Sequence, residues 1–154
     1  MTDVRSIYMR LKKYTDYALR VLIYVNSKEE GELTSIKEIS ETFGVSQNHL
    51  SKIVYQLGQL ELLHTIRGRN GGIALSKSPE DINIGHVVRM MEDDFVMMEC
   101  FDRDTNTCVI TPSCKLKHVL NDALIAFLRV LDQYTLNDLT ANKDELRDLM
   151  DINS

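Results

Sequence analysis

Apolar positions recur in the first part of the chain at helical spacing. Tyr14, Tyr17, Ala18, Val21, Leu22 and Val25 stand at i, i+3, i+4, i+7, i+8 and i+11, which predicts an amphipathic helix. Ser35-x-x-Glu38 is a capping box. It opens a short second helix to about Thr42, because hydroxyl and carboxylate satisfy each other's backbone amides. Phe43-Gly44-Val45 then turns the chain tightly. Ser46 caps a third helix with an apolar face of Leu50, Ile53, Val54, Leu57 and Leu60. Residues 62–66 and 72–75 read as short strands joined by the basic, glycine-rich tip Arg67-Gly68-Arg69-Asn70-Gly71. A helix is predicted over 84–91 and a loop over 92–112. A long helix follows, opened by Pro112 and running from 113 to 134. Its stripe (Leu116, Val119, Leu120, Ala123, Leu124, Phe127, Leu128, Leu131, Tyr134) is too wide to bury against one small domain. Thr135-x-x-Asp138 restarts a helix, and the charged tail from Asn142, with Leu146, Leu149 and Met150, reads as a loose helix.

Composition adds exclusions. Of 154 residues, 44% are hydrophobic, enough for a core and too many for a disordered chain. With 7 Gly, 2 Pro and no Trp, an all-β chain rich in tight turns is disfavoured. The longest apolar run covers only 123–128, against the roughly 20 residues of a membrane span. The N-terminal residues lack the apolar stretch of a secretory signal. A soluble, cytoplasmic protein without a membrane partner is expected. The net charge of -5 hides an asymmetry. Residues 1–78 carry 11 Lys/Arg against 8 Asp/Glu, whereas 79–154 carry 7 against 15. The front half can therefore meet an anionic partner although the whole chain is acidic.

The order helix, helix, tight turn, helix, basic hairpin is that of a winged helix-turn-helix. In that fold the second helix of the pair enters the major groove of double-stranded DNA. Its outward face holds Gln47, Asn48, Ser51, Lys52 and Tyr55, where Gln and Asn can pair with adenine and Ser and Lys can reach bases or phosphate. Arg67 and Arg69 can enter a minor groove or hold phosphates. Arg10, Lys12 and Lys13 add positive charge at the entry to the first helix. The plain alternative is a solvated polar face.

Cys100, Cys108 and Cys114 form C-x7-C-x5-C, an odd number of cysteines within 15 residues. Such a group fits a metal or cluster site better than a disulfide framework. Thiolates are soft ligands for iron–sulfur clusters and for zinc. Spacing alone leaves the two equal, with His118, Asp102 and Asp104 as candidates for a fourth zinc ligand. Three buried thiols as plain core residues do not suit so polar a stretch. Glu92-Asp93-Asp94 reads as a solvated acidic loop, and His49, His64 and His86 are scattered.

Residues 9–20, the wing Arg67-Gly68-Arg69-Asn70-Gly71-Gly72, and Glu99-Cys100-Phe101…Cys108…Cys114-Lys115-Leu116-Lys117-His118 resemble the Rrf-type winged-helix regulators. Among these, the likeness is to the nitric-oxide-sensing iron–sulfur repressors, and it covers about residues 9–140. The resemblance implies a homodimeric DNA-binding repressor with a 4Fe-4S cluster on the three cysteines. Its fourth ligand would be Asp16 of the partner subunit. By itself Asp16 reads as a first-turn acid paired with Arg20 at i, i+4. With the resemblance, Arg20 becomes a neighbour that orients the ligating carboxylate. The related iron–sulfur-assembly regulators place a histidine three residues after the last cysteine. Here that position is Lys117, and His118 is one step on, which weighs against a 2Fe-2S alternative. Zinc is less favoured still.

The expected fold is mainly α: a winged helix-turn-helix with a two-stranded wing plus a long C-terminal dimerisation helix. The expected divisions are 9–78 for the DNA-binding domain, 79–112 for a linker helix and cluster-binding loop, 113–141 for the dimerisation helix and 142–154 for the charged tail. The expected function is a repressor that binds a DNA operator and senses nitric oxide. The alternative is an iron–sulfur or thiol-based redox regulator of cluster assembly or cysteine metabolism, without nitric oxide as the primary signal. An enzyme is not expected, since no GxGxxG or GxxxxGK[ST] motif occurs and no motif places a nucleophile beside a base.

Overall fold

The computed structural model describes residues 10–152. Met9, where the resemblance begins, lies outside the described residues, as do residues 1–8 ahead of it and the last two of the tail. Helix α1 (Lys13–Ser27) runs through the middle of the molecule. Ala18, Val21 and Leu22 are fully buried and Val25 nearly so, with Tyr14 and Tyr17 at the edge of the core. Helix α2 (Ile36–Phe43) begins at the capping box: the Glu38 amide donates to Ser35 Oγ at 3.1 Å and the Ser35 amide to Glu38 Oε2 at 2.7 Å. Lys28 Nζ reaches the other Glu38 oxygen at 2.7 Å and pins α2 to the end of α1. Burial works against the Glu38 charge, yet Lys28 and the Ser35 donors together hold its carboxyl below the usual range.

Helix α2 ends at Gly44, whose φ of 65° lies in the left-handed region, as the expected tight turn requires. Ser46 accepts from the His49 amide at 3.2 Å and opens α3 (Gln47–Gln59). Leu50, Ile53, Val54 and Leu57 are buried. Glu61 takes a left-handed φ of 58°, and the Leu62 amide donates back to the Leu57 carbonyl at 3.0 Å, which closes the helix and aims the chain into the wing. Strands β1 (Leu63–Ile66) and β2 (Gly72–Leu75) pair antiparallel, Leu63 opposite Leu75 and Ile66 opposite Gly72. Thr34, just ahead of α2, bridges Ile73 through backbone bonds of 3.0 and 2.7 Å. This third piece of the wing carries no periodic signal in the sequence.

Helix α4 (Ile84–Met91), expected as part of a linker, supplies Ile84, Val87, Val88 and Met91 to the core. The long helix α5 spans Lys115–Leu131, shorter at both ends than the apolar stripe suggested. Pro112 opens a separate 3-10 turn, Thr111–Ser113, and Cys114 in extended conformation interrupts the path into α5. No α5 residue is buried. Leu116, Val119 and Val130 are more than half exposed, while Leu128 and Leu131 touch the core.

Helix α6 (Leu136–Leu139) starts at the Thr135–Asp138 capping box, and α7 (Lys143–Leu149) follows. The segment after Asn142 is docked rather than loose. Met150 and Ile152 are buried, and Arg147 donates to the Ser27 carbonyl and pairs with Glu29. Asn26 Nδ2 donates to Thr140 Oγ1 at 2.7 Å inside the core. Among the described residues no helix is long and apolar enough to cross a membrane.

The end of α5 is latched to α4. Both terminal nitrogens of the Arg89 guanidinium donate to Asp132, Nη2 to Oδ2 at 2.9 Å. Asn83 Nδ2 donates to the Asp132 carbonyl at 2.7 Å. The Arg89 hydrogen bond holds the Asp132 carboxyl below its ordinary range. That latch therefore stabilises the fold at neutral pH and is lost as pH falls through the depressed range. A Cβ on Gly85 would overlap the Asp132 carboxylate. Gly85→Ala should cost about 1–3 kcal/mol, the usual penalty of overpacking, read as a lower urea midpoint at unchanged slope. A midpoint equal to the parent's would show that α5 shifts there freely.

Candidate nucleic-acid interface and cysteine loop

The exposed side of α3 and the wing make one surface. Because α3 buries Leu50, Ile53, Val54 and Leu57, the positions between them must face out. Gln47, Asn48, Ser51, Lys52 and Tyr55 are all exposed, Tyr55 at 68%. They are not equally available. The Ser51 hydroxyl donates to the Gln47 carbonyl one turn back at 2.8 Å, so it offers an external partner only lone pairs. Tyr55 Oη accepts from Gln59 Nε2 at 3.1 Å. Tyr14 of α1 lines the same surface beside Ser51, Lys52 and Tyr55, and burial pushes its phenol up. Arg67 and Arg69 stand exposed on the wing with no ion pair among the described residues. Lys12 is committed elsewhere, to Asp93 at 2.7 Å, and that carboxylate raises its pKa.

Lys12 ties the second candidate site to α1. Its amide donates to Glu92 Oε1 at 2.8 Å and its ammonium meets Asp93. The acidic residues 92–94 are thus the anchored start of the cysteine loop. Cys100 lies in the 3-10 turn Glu99–Phe101 and is 95% buried. Cys108 is exposed, and Cys114 is half-buried at the entry to α5. Asp16 and Arg20 form a two-pronged pair at 2.9 and 2.8 Å in the first turns of α1. The Arg20 guanidinium also lies 5.7 Å from the ring centroids of Tyr17 and Phe43, linking Asp16 to the end of α2.

The loop is shaped by its own side chains. Glu99 Oε1 accepts from the amide and, at 2.7 Å, the hydroxyl of Thr107. These bonds, the hydroxyl's first, hold its carboxyl below the usual range. Asp102 accepts from the Thr105 hydroxyl at 2.8 Å and the Asp104 amide at 3.0 Å, and is lowered for the same reason. Asn106 Oδ1 accepts from the Cys108 amide at 3.1 Å, and the Thr111 hydroxyl donates to the Cys108 carbonyl at 2.9 Å. Sequence reasoning missed this shaping role of Glu99, Asn106, Thr107 and Thr111, and took Asp102 and Asp104 only as candidate zinc ligands. The only signal was the density of Asp, Asn and Thr, which bond their own backbone two or three residues away.

As a donor set, three thiols on one loop suit an iron–sulfur cluster. As geometry, no three His, Cys, Asp or Glu side chains converge into a metal site among the described residues. Asp16 and Arg20 are brought together, but Cys100, Cys108, Cys114 and Asp16 are not. His118, Asp102 and Asp104 complete no zinc site either.

The family model described as "Rrf2: Iron-dependent Transcriptional regulator" matches residues 11–142. The chain is 58% identical over 142 residues to the HTH-type transcriptional regulator NsrR of Bacillus subtilis, covering 92% of this chain and 97% of that one. It is also 58% identical, over 144 residues, to the regulator of the same name from Oceanobacillus iheyensis, covering 94% and 98%. Among solved structures, the oxidized form of Staphylococcus aureus CymR superposes with a TM-score of 0.70 at 25% identity, covering 85% of this chain and 95% of that one.

Proposed function

The chain belongs to the Rrf2 family and is a transcriptional regulator rather than an enzyme; from that premise we propose that it is a cytoplasmic, homodimeric repressor that senses nitric oxide through a 4Fe-4S cluster. The residues to hold the cluster are Cys100, Cys108 and Cys114, with Asp16 of the partner subunit as the fourth ligand. The observation that carries the reading is the confinement of all three thiols to a loop whose start is bonded to Lys12, the residue that precedes α1, one turn before Asp16. When bound, such a cluster supplies an iron with a carboxylate ligand that is harder and more readily displaced than thiolate.

The chain's own residues supply the rest. Arg20 holds the Asp16 carboxylate on both oxygens, so ligation has to draw at least one of them away. Arg20 also lies over Phe43 of α2, and α1 packs on α3. A change at Asp16 therefore has a short packed route to the recognition helix. The uncovered apolar face of α5 is the dimer seam on this reading, since a second copy would bury the exposed Leu116, Val119 and Val130. Two recognition helices would then meet two half-sites of an operator.

One observation favours a second reading, a cluster-free thiol regulator: Cys108 is exposed while no three donors converge.

On the wing, Arg69→Ala should weaken operator binding by about 1–3 kcal/mol and flatten its salt dependence. Gln47→Ala and Asn48→Ala should instead change sequence preference. Parent-like binding by all three at matched salt would remove DNA readout from this surface. On the loop, Cys100→Ala, Cys108→Ala and Cys114→Ala, each reconstituted anaerobically, should lose stoichiometric iron and sulfide. A single variant that keeps both would take that cysteine out of the ligand set. Parent protein that takes up neither would leave the thiol regulator.

A further inference from the structure

The cysteine loop contains a clasp whose only product is the loop's shape. Glu99 and Thr107 are the residues immediately before Cys100 and Cys108. The Glu99 carboxylate takes both the amide and the hydroxyl of Thr107. The seven residues between the two thiols are thereby closed into a ring, and the backbone at one cysteine is fixed relative to the backbone at the other. Both clasp residues are exposed. Neither packs in the core, so the bonds serve no wider packing. The remaining bonds continue the arrangement toward the third thiol: Asn106 takes the Cys108 amide, Thr111 holds the Cys108 carbonyl, and the Cys114 amide donates to the Thr111 carbonyl at 3.3 Å.

We infer that Glu99 is the positioning residue of the cysteine loop: its clasp fixes the backbone at Cys100 relative to that at Cys108, so that less chain entropy is lost when these two thiols, which join no three-donor site among the described residues, are gathered on a common thiophilic centre. The inference rests on the cluster reading above for its biological meaning but not for its test. A flexible loop must surrender its freedom when its ligands are gathered. A loop already closed by a charge-assisted pair of hydrogen bonds has surrendered part of it beforehand. The carboxylate acts through Thr107 and is not itself a ligand in this account.

The test uses the full-length, reduced apoprotein and cadmium ion alone as probe, with thiolate-to-cadmium absorption as readout. Glu99→Ala should lower cadmium affinity roughly ten-fold, the scale of a hydrogen bond to a charged group in a partly solvated loop. It should leave the melting temperature unchanged and release the Thr107 amide to fast hydrogen exchange. Glu99→Gln keeps an acceptor oxygen for Thr107 and should recover most of the lost affinity. Unchanged cadmium affinity in Glu99→Ala would overturn the proposal. So would a Glu99→Gln variant as weak as the alanine variant, since charge or direct ligation rather than the clasp would then be responsible. In anaerobically reconstituted protein, Glu99→Ala should lose iron to a chelator several-fold faster than the parent, by the same weakening. If the parent itself takes up no iron and sulfide, the cluster reading fails while the cadmium comparison still decides the role of Glu99.

Discussion

The structure depends on the two faces of α1. Its buried stripe, Ala18, Val21, Leu22 and Val25, is the surface on which α3, α4, α6, α7 and the second wing strand assemble. Burying each of Val21, Leu22 and Val25 contributes on the order of 1.5–3 kcal/mol. Its opposite side, at the N-terminal end, carries Asp16 with Arg20, and just before the helix begins Lys12 holds the first residues of the cysteine loop. One rigid helix thus sits between the element that would read DNA and the loop that would read a signal. A displacement of its N-terminal turns cannot be absorbed locally, because the stripe behind them is close-packed.

Local signals were legible and long-range ones were not. The capping boxes at Ser35 and Thr135, the caps at Ser46 and the apolar stripes of α1, α3 and α4 each encode their element within a few residues. The elements stand close to where those signals put them. The shortened start of α5 was not legible, because Pro112 suits the first turn of a long helix as well as it suits a separate 3-10 turn. Cys114 decides between them through an extended backbone that no spacing reveals. The docking of α7 was hidden for another reason. It rests on Met150, Ile152 and one arginine reaching Ser27 and Glu29 across more than a hundred residues, too few apolar positions to make a periodic stripe.

The candidate site divides in the same way. The outward face of α3 follows from its buried face and needed only helix periodicity. The Asp16–Arg20 pair followed from i, i+4 spacing. What spacing could not supply was the competition among side chains. Lys12 is paired with Asp93, and the Ser51 hydroxyl is taken by its own helix. The hydrogen-bonded frame around Cys100 and Cys108 was equally hidden, since Asp, Asn and Thr in a loop have many near-equivalent partners. On the proposed reading, a ligand role for Asp16 would belong to a dimer and would leave no mark on one chain, where both carboxylate oxygens accept from Arg20.

On the proposed reading, the cysteine loop governs DNA binding through α1. This is tested most directly by titrating nitric oxide into anaerobically reconstituted protein bound to its operator, reading DNA occupancy and cluster absorption in the same sample. Occupancy should fall in step with loss of the cluster spectrum, and a variant lacking all three cysteines should show no response to nitric oxide. Occupancy that stays constant while the cluster spectrum is lost would contradict this reading.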